Sequence, residues 1–268
     1  MPMLEQTPAA DRVLQLFCFA RAGAVPELNQ GDQLLAYPWG GLMAVCGWTG
    51  MEEWSGPQAE QRMQDLQWLT PRIMRHETII EAAMRVSPVL PARLGALFSS
   101  LQTLDRFLAL HHAAIASFLD QVENKEEWAV KGVLNRARLS QWLGSNMNGV
   151  QPGCAPPAGG ASYLRQRQAR AAVGREVNHW VAQTLEPILD QLRRCAAGAY
   201  QRGPGAPTAA GQPQPIFNLA FLVARENLTE FHRCAQRATL AHRAHGLELA
   251  LSGPWPPYSF CPTLEMPP

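Results

Sequence analysis

The side chains best suited to chemistry are a cysteine and two histidines near the end of the chain. His242 and His245 lie three residues apart, a spacing that can bring two metal ligands together on a helix, and Cys234 precedes them. Gly246 follows at once, so His245 is also placed where a histidine simply suits a helix C-terminus. A metal-dependent enzyme built on these residues stays an alternative, but we predict no metal site.

Patterns for other kinds of catalysis are missing from the sequence. It contains no GxSxG, GxxxxGK[ST] or GxGxxG motif. His76 and Glu77 begin like HExxH, but Ile80 stands where the second histidine is needed. His111 and His112 are adjacent, and adjacent helical residues do not share a face. We therefore predict no catalytic residue, no cofactor and a protein that is not an enzyme.

Charge and composition limit the partner classes. The 23 basic and 22 acidic residues argue against nucleic acid and against an anionic membrane as the main partner. No stretch approaches the roughly 20 apolar residues of a membrane span, and the N-terminus lacks the apolar core of a signal peptide. The six cysteines form no CxxC pair, which is typical of reduced thiols. We expect a soluble, cytoplasmic protein.

The first half of the chain predicts strands followed by helices. Strand candidates are 13–20, 34–37 and 42–48, the last two forming a hairpin. Pro71 after Thr70 predicts that the helical region 58–84 is broken into two helices there. The extended piece 88–91 follows, and Ser100 should cap a helix over 101–121. The apolar residues expected to face inward between 58 and 84 are Met63, Leu66, Leu69, Ile73, Ile80 and Met84.

The second half predicts strand, long helix, strand, helix, strand, an order that suits a ferredoxin-like layout. These elements are expected at 127–133, 163–199, 217–223, 228–243 and 247–251, with Pro187 bending the long helix and loops at 145–160 and 203–215. Lys125, Glu127 and Lys131 are expected to be solvated. We predict an α+β protein of two domains, 1–121 and 122–268, the second ferredoxin-like.

A proline-aromatic extension follows the last strand. Gly253 ends the strand, and three prolines then stiffen a segment that carries large rings. One interpretation is that the rings pack the C-terminus onto the protein's own domain. Another is a generic scaffold that binds a partner through this extension, since Pro254 and Pro257 have PxxP spacing. The rings are Trp255, Tyr258 and Phe260.

The segment GPWPPYSF at 253–260 strongly resembles the signature of the gas vesicle protein F/L family (GvpF/GvpL). The resemblance extends through most of the chain: 75–80 is similar to the family's histidine helix, 89–98 to its "PxRFG" segment, 124–131 to "GKxEWxxK", 160–167 to "GxxYLxxR" and 218–223 to "NxAFLV". Two residues depart from these patterns: Leu94 stands where the family has phenylalanine, and Asn124 where it has glycine.

The resemblance implies a function in building gas vesicles, the hollow protein shells that make cells buoyant. Family members are regarded as minor components or assembly factors that bind the small GvpA-type shell protein and limit its aggregation during nucleation. The family fold has two α+β domains, the second ferredoxin-like. The implied partners are the shell protein and other accessory proteins, and the implied location is the gas vesicle, with the cytoplasm before assembly.

We expect the partner to be bound by aromatic side chains of the first strands and of the C-terminal extension. A shell subunit exposes apolar surface and strand edges before assembly, and a soluble partner could cover either. The region 13–48, with Leu16 among its apolar residues, should supply much of the contact. The candidate partner-binding residues are Phe17, Phe19, Trp39, Trp48, Trp255 and Tyr258.

Overall fold

The computed structural model describes residues 12–23, 34–147, 160–203 and 212–265, with the side chains of 146, 147, 160–167, 169 and 170 left undescribed. Within these ranges the fold is mixed α+β with two sheets. The strands are β1 (Arg12–Arg21), β2 (Leu34–Trp39), β3 (Leu42–Gly50), β4 (Val89–Pro91), β5 (Leu97–Phe98), β6 (Lys125–Leu134), β7 (Gly198–Gln201), β8 (Gln214–Ala224) and β9 (Leu247–Trp255). The helices are α1 (Met51–Trp54), α2 (Ala59–Gln64), α3 (Leu66–Met84), α4 (Leu101–Val122), α5 (Arg136–Met147), α6 (Gly160–Arg194) and α7 (Leu228–His242).

The described residues divide into two compact units. Unit 1 runs to Lys125 and includes the segment from Trp255 onward, whereas unit 2 runs from Glu126 to Pro254. The domain limits at 1–121 and 122–268 stay a prediction, since compactness alone does not test whether either part folds independently.

The sheet of unit 1 has the order β2-β3-β1-β4, with β5 also paired to β1. β1 is buried from Val13 to Ala20 because helices cover both of its faces. A bulge between Leu16 and Cys18 lets Phe17 and Phe19 contact different helices although they are only two residues apart. Phe17 lies 5.5 Å from the His76 ring of α3, and Phe19 lies 5.9 Å from the Phe107 ring of α4.

Two helices of unit 1, α3 and α4, begin at residues whose side chains cap them. Ser100 caps α4 as predicted, in a capping box in which its side chain accepts from the Thr103 N–H. The predicted break at Pro71 is wrong, because Pro71 lies inside α3. The break occurs instead at Asp65, whose carboxylate accepts from the Gln67 N–H at 2.9 Å and caps α3.

The sheet of unit 2 has the order β7-β8-β6-β9. Its core joins the sheet to α5, α6 and α7, and the rings of Phe221 on β8 and Phe231 on α7 lie 5.3 Å apart. α6 continues through Pro187 and ends at Arg194, so residues predicted as its last turn form β7 instead. The expectation that Glu127 is solvated is wrong, since its side chain is fully buried and pairs with Arg202.

Candidate functional site

The edge strand β2 presents an apolar surface in unit 1. Its residues from Leu34 to Trp39 are apolar or aromatic, and most are half-buried. Pro38 is tolerated because β2 pairs only with β3 among the described strands, and proline is confined to such edges. A sheet edge with apolar side chains is a surface to which an extended segment of a partner could add.

Two aromatic residues of β2 are held by α4 rather than left mobile. The Tyr37 hydroxyl donates to Asp105 at 2.8 Å, and the Trp39 ring lies 5.6 Å from the His112 ring. His112 Nε2 in turn donates to the carbonyl oxygen of Gly40 at 2.7 Å, fixing the turn between β2 and β3. Trp39 therefore keeps a half-buried ring in a defined position at the edge of the sheet.

The other candidates on the sheet lie at different depths. Phe17 and Phe19 are 1% and 2% exposed, so they form the core beneath the surface and present no ring to a partner in this conformation. Trp48 is half-buried on β3, paired with Leu14. Direct contact by the six candidate residues stays a prediction, and Trp39, Trp48, Trp255 and Tyr258 are the ones that retain exposed surface.

The C-terminal segment packs against unit 1. Pro256 and Pro257 are buried, and Tyr258 packs against the core cluster that contains Phe17. The Tyr258 hydroxyl donates to Glu77 Oε1 at 2.9 Å, and burial together with the Glu77 charge raises the pKa of Tyr258. Trp255 keeps 41% of its surface exposed. Pro257, the second proline of the PxxP spacing, is therefore buried and not accessible to a partner in this conformation.

Apolar side chains on the helices of unit 1 are a feature that the sequence reasoning misplaced. Met63, Leu66 and Ile73 were expected to face inward, but they are 47%, 73% and 39% exposed. Helical rotation alone does not separate the exposed from the buried residues, because Ile80 is fully buried although it lies 14 residues after Leu66 and thus within about 40° of the same face. The buried residues of α3 are His76, Ile79, Ile80 and Ala83.

The cysteine and histidines of the metal alternative lie in unit 2 and do not converge. Cys234 Sγ donates to Glu230 Oε1 at 3.2 Å and lies against Cys195. The His245 ring instead lies 4.1 Å from the Trp142 ring, tilted by 50° to it, and 6.1 Å from the His242 ring. In the described part of the chain, no group of three or more His, Cys, Asp or Glu residues could hold a metal ion.

His76 is a buried titratable group in the interior of unit 1. The ring is 2% exposed, and Nε2 donates to the Ala92 carbonyl oxygen at 3.0 Å. Nδ1 is buried and has no hydrogen-bond partner among the described residues. Burial lowers the pKa of His76 from its usual 6.5, although the Ala92 bond and the Glu77 charge oppose this. The neutral imidazole is therefore part of the folded state.

This burial predicts a pH dependence of stability. As the pH falls through about 6.5, the unfolded chain takes up the His76 proton before the folded chain does, so the free energy of unfolding decreases. His76→Gln, which can still donate to Ala92, should be less stable at neutral pH but show a shallower decline below about pH 6.5 in urea titrations. His179→Gln on α6 is the control, and an equal change of slope in both variants would contradict the prediction.

No helix in the described ranges combines the length and the apolar character that crossing a membrane requires.

Comparison with known proteins gives concordant matches over nearly the whole chain. The family model described as "Gas vesicle synthesis protein GvpL/GvpF" matches residues 14–262. The chain is 27% identical over 267 residues to gas vesicle protein L of Streptomyces sp. (strain CB03234), covering 96% of each chain.

Solved structures of two gas vesicle proteins have a similar fold. The crystal structure of gas vesicle protein GvpF from Anabaena sp. PCC7120 matches with a TM-score of 0.68 at 16% identity, covering 95% of this chain and 98% of that one. GvpF from Microcystis aeruginosa matches with a TM-score of 0.60 at 15% identity, covering 94% and 99%. At these identities the structural matches show the fold.

Proposed function

The chain belongs to the gas vesicle synthesis protein GvpL/GvpF family, and we propose that it is a non-enzymatic accessory protein, a minor component or assembly factor, that binds the small shell protein. By covering the apolar surface and strand edges of unassembled shell subunits, it limits their aggregation while a vesicle nucleates. Its partners in this proposal are the GvpA-type shell protein and other gas vesicle accessory proteins. Its location is the gas vesicle, and the cytoplasm before assembly.

The observation that carries this proposal is the edge strand β2 of unit 1. Its half-buried apolar side chains lie beside a row of main-chain groups that β3 satisfies on one side only, as far as the described strands extend. An extended segment of a shell subunit could pair with this edge and bury its own side chains against Leu35 and Trp39.

The second unit has the strand order expected for the proposed ferredoxin-like layout. β6 is followed by two helices, then by the adjacent strands β7 and β8, then by α7 and β9, which is a βαββαβ sequence of elements. The order β7-β8-β6-β9 places the first and third of these strands side by side. In this proposal, unit 2 serves as a stable base and unit 1 makes the contact with the shell protein.

The other two candidate functions have less support. A scaffold acting through the C-terminal extension would have to release Tyr258 from Glu77 and expose the buried Pro257 before binding. A metal-dependent enzyme would need Cys234 to leave Glu230 and approach His242. Neither candidate is favoured by a specific contact.

The direct test is co-expression of the shell protein with and without the full-length chain. The fraction of shell protein that stays soluble after centrifugation should rise severalfold when the chain is present. The variant Leu35→Lys with Trp39→Ser, on the edge strand, should lose this effect, whereas Leu240→Lys on α7 should keep it because Leu240 is 68% exposed in unit 2. Equal clumping of shell protein in the presence and absence of the parent chain would refute the proposal.

A further inference from the structure

The first half of α3 carries an apolar surface that the described residues leave uncovered. It consists of Leu66, Ile73 and Met74, hereafter the α3 stripe, whose exposed fractions are 73%, 39% and 62%. All four buried residues of α3 come later in the helix, from His76 to Ala83. The stripe is therefore separate from the core of unit 1.

The stripe is not needed to hold α3 in place, because another side of the helix does this. The Trp68 ring lies 5.6 Å from the Trp54 ring of α1, and the Arg72 guanidinium stacks 3.9 Å over Trp68. Arg72 also donates to Glu53 at 2.5 Å. These contacts anchor the first half of α3 without using the side chains of the stripe.

The geometry of the stripe selects the kind of partner. The main chain of a helix is hydrogen-bonded internally, so this surface offers side chains and cannot accept an added strand. Leu66, Ile73 and Met74 have the i, i+7, i+8 spacing of one helical face, the pattern by which helices pack lengthwise on each other. The exposed apolar area is on the order of 300 Å². A standard stable interface needs about 800 Å² from each partner, so the stripe suits one helix better than a second copy of the chain.

Charge on the same face narrows the choice further. Glu77 and Glu81 follow Ile73 at i+4 and i+8, so they continue the face beyond the apolar residues. Glu77 accepts from Tyr258, whereas Glu81 is exposed. The basic residues next to the stripe in sequence face other side chains: Arg72 lies over Trp68 and pairs with Glu53, and Arg75 lies over the Phe17 ring. A helix lying along the stripe would meet a carboxylate at one end.

We propose that the α3 stripe binds an amphipathic helix of the shell protein, whose apolar side chains pack on Leu66, Ile73 and Met74 and whose Lys or Arg pairs with Glu81. This inference rests on the proposed function and adds a second contact to it, distinct from strand addition at β2. Two contacts on one unit would hold a subunit's helix and its strand at the same time, which raises the overall affinity through effective concentration.

The test uses the full-length tagged chain co-expressed with the untagged shell protein, and measures shell protein captured per chain. Leu66→Glu with Met74→Glu should lower capture at least tenfold, and Glu81→Lys should lower it severalfold. Leu110→Glu on α4 is the matched control, since Leu110 is 66% exposed in the same unit, and it should capture as much as the parent. All variants should melt within a few degrees of the parent, because the replaced side chains are exposed.

The remaining outcomes separate the inference from the function on which it rests. A photo-crosslinker placed at Met74 should form adducts with a helical segment of the shell protein. If the parent captures shell protein and the double variant captures as much, the stripe proposal is wrong and the proposed function stands. If the parent dimerises in sedimentation and the double variant does not, the stripe is a self-interface and the inference is overturned. If the parent captures no shell protein, both proposals fail.

Discussion

The Arg202→Ala variant is expected to lose about 3 kcal/mol of unfolding free energy, because the change removes an ion-pair partner from a fully buried carboxylate. Glu127 on β6 has no exposed surface, and the Arg202 guanidinium donates to its Oε1. Arg202 is held beside β8, where its N–H donates to the Asn218 carbonyl oxygen at 2.9 Å. Urea titration of the parent and the variant measures the loss.

A surface ion pair between an arginine and a carboxylate supplies the control. Arg193 and Asp190 pair at 3.0 Å on α6 with about half of each side chain exposed, so Arg193→Ala should cost under about 1 kcal/mol. The double variant Glu127→Gln with Arg202→Met removes both charges and should recover part of the loss. Equal losses for Arg202→Ala and Arg193→Ala would mean that the Glu127 carboxylate is not buried, and they would contradict the prediction.

Gly132→Val is expected to destabilise unit 2 by about 3 kcal/mol through overpacking. Gly132 lies near the end of β6, where a Cβ atom would come within 2.1 Å of Cε1 in the Phe217 ring. Phe217 is 6% exposed on β8 and belongs to the core, so its ring has little room to move aside. The Phe217 ring occupies the space that a side chain at position 132 would need. Thermal unfolding of the two proteins measures the effect.

Two further variants make this prediction specific. Gly132→Val combined with Phe217→Ala should be less destabilised than the sum of the single changes, because the added methyl groups enter the space that the ring vacates. Gly174→Ala in α6 meets nothing within 4 Å and should be stabilising by up to about 1 kcal/mol, since alanine favours a helix more than glycine does. If Gly132→Val melted like the parent, the contact between β6 and β8 would be misassigned.

Elements whose residues carry strong local signals were predictable from the sequence. The strand predicted at 13–20 and the helix predicted at 101–121 are confirmed, because a dense apolar run and a serine cap each determine structure locally. The strand predicted at 217–223 is also confirmed within β8. The family resemblance is confirmed by the match over 14–262.

Features that depend on distant residues were not predictable in the same way. Helical periodicity predicted that Leu66 and Ile73 face inward, but whether they are buried depends on where neighbouring helices such as α1 and α2 pack. Pro71 was expected to begin a second helix, yet it lies in the second turn of α3, and the helix continues through it although proline removes one helical hydrogen bond. The burial of Glu127 follows from Arg202, which lies 75 residues away.

The route of the chain has a consequence for how the protein is made. Unit 1 is completed by residues from Trp255 onward, which leave the ribosome only after all of unit 2. A nascent chain therefore has an unfinished first half while unit 2 is being synthesised, without Tyr258 over α3 or the bond to Glu77. Any activity that requires the finished first half can begin only after unit 2 has been made.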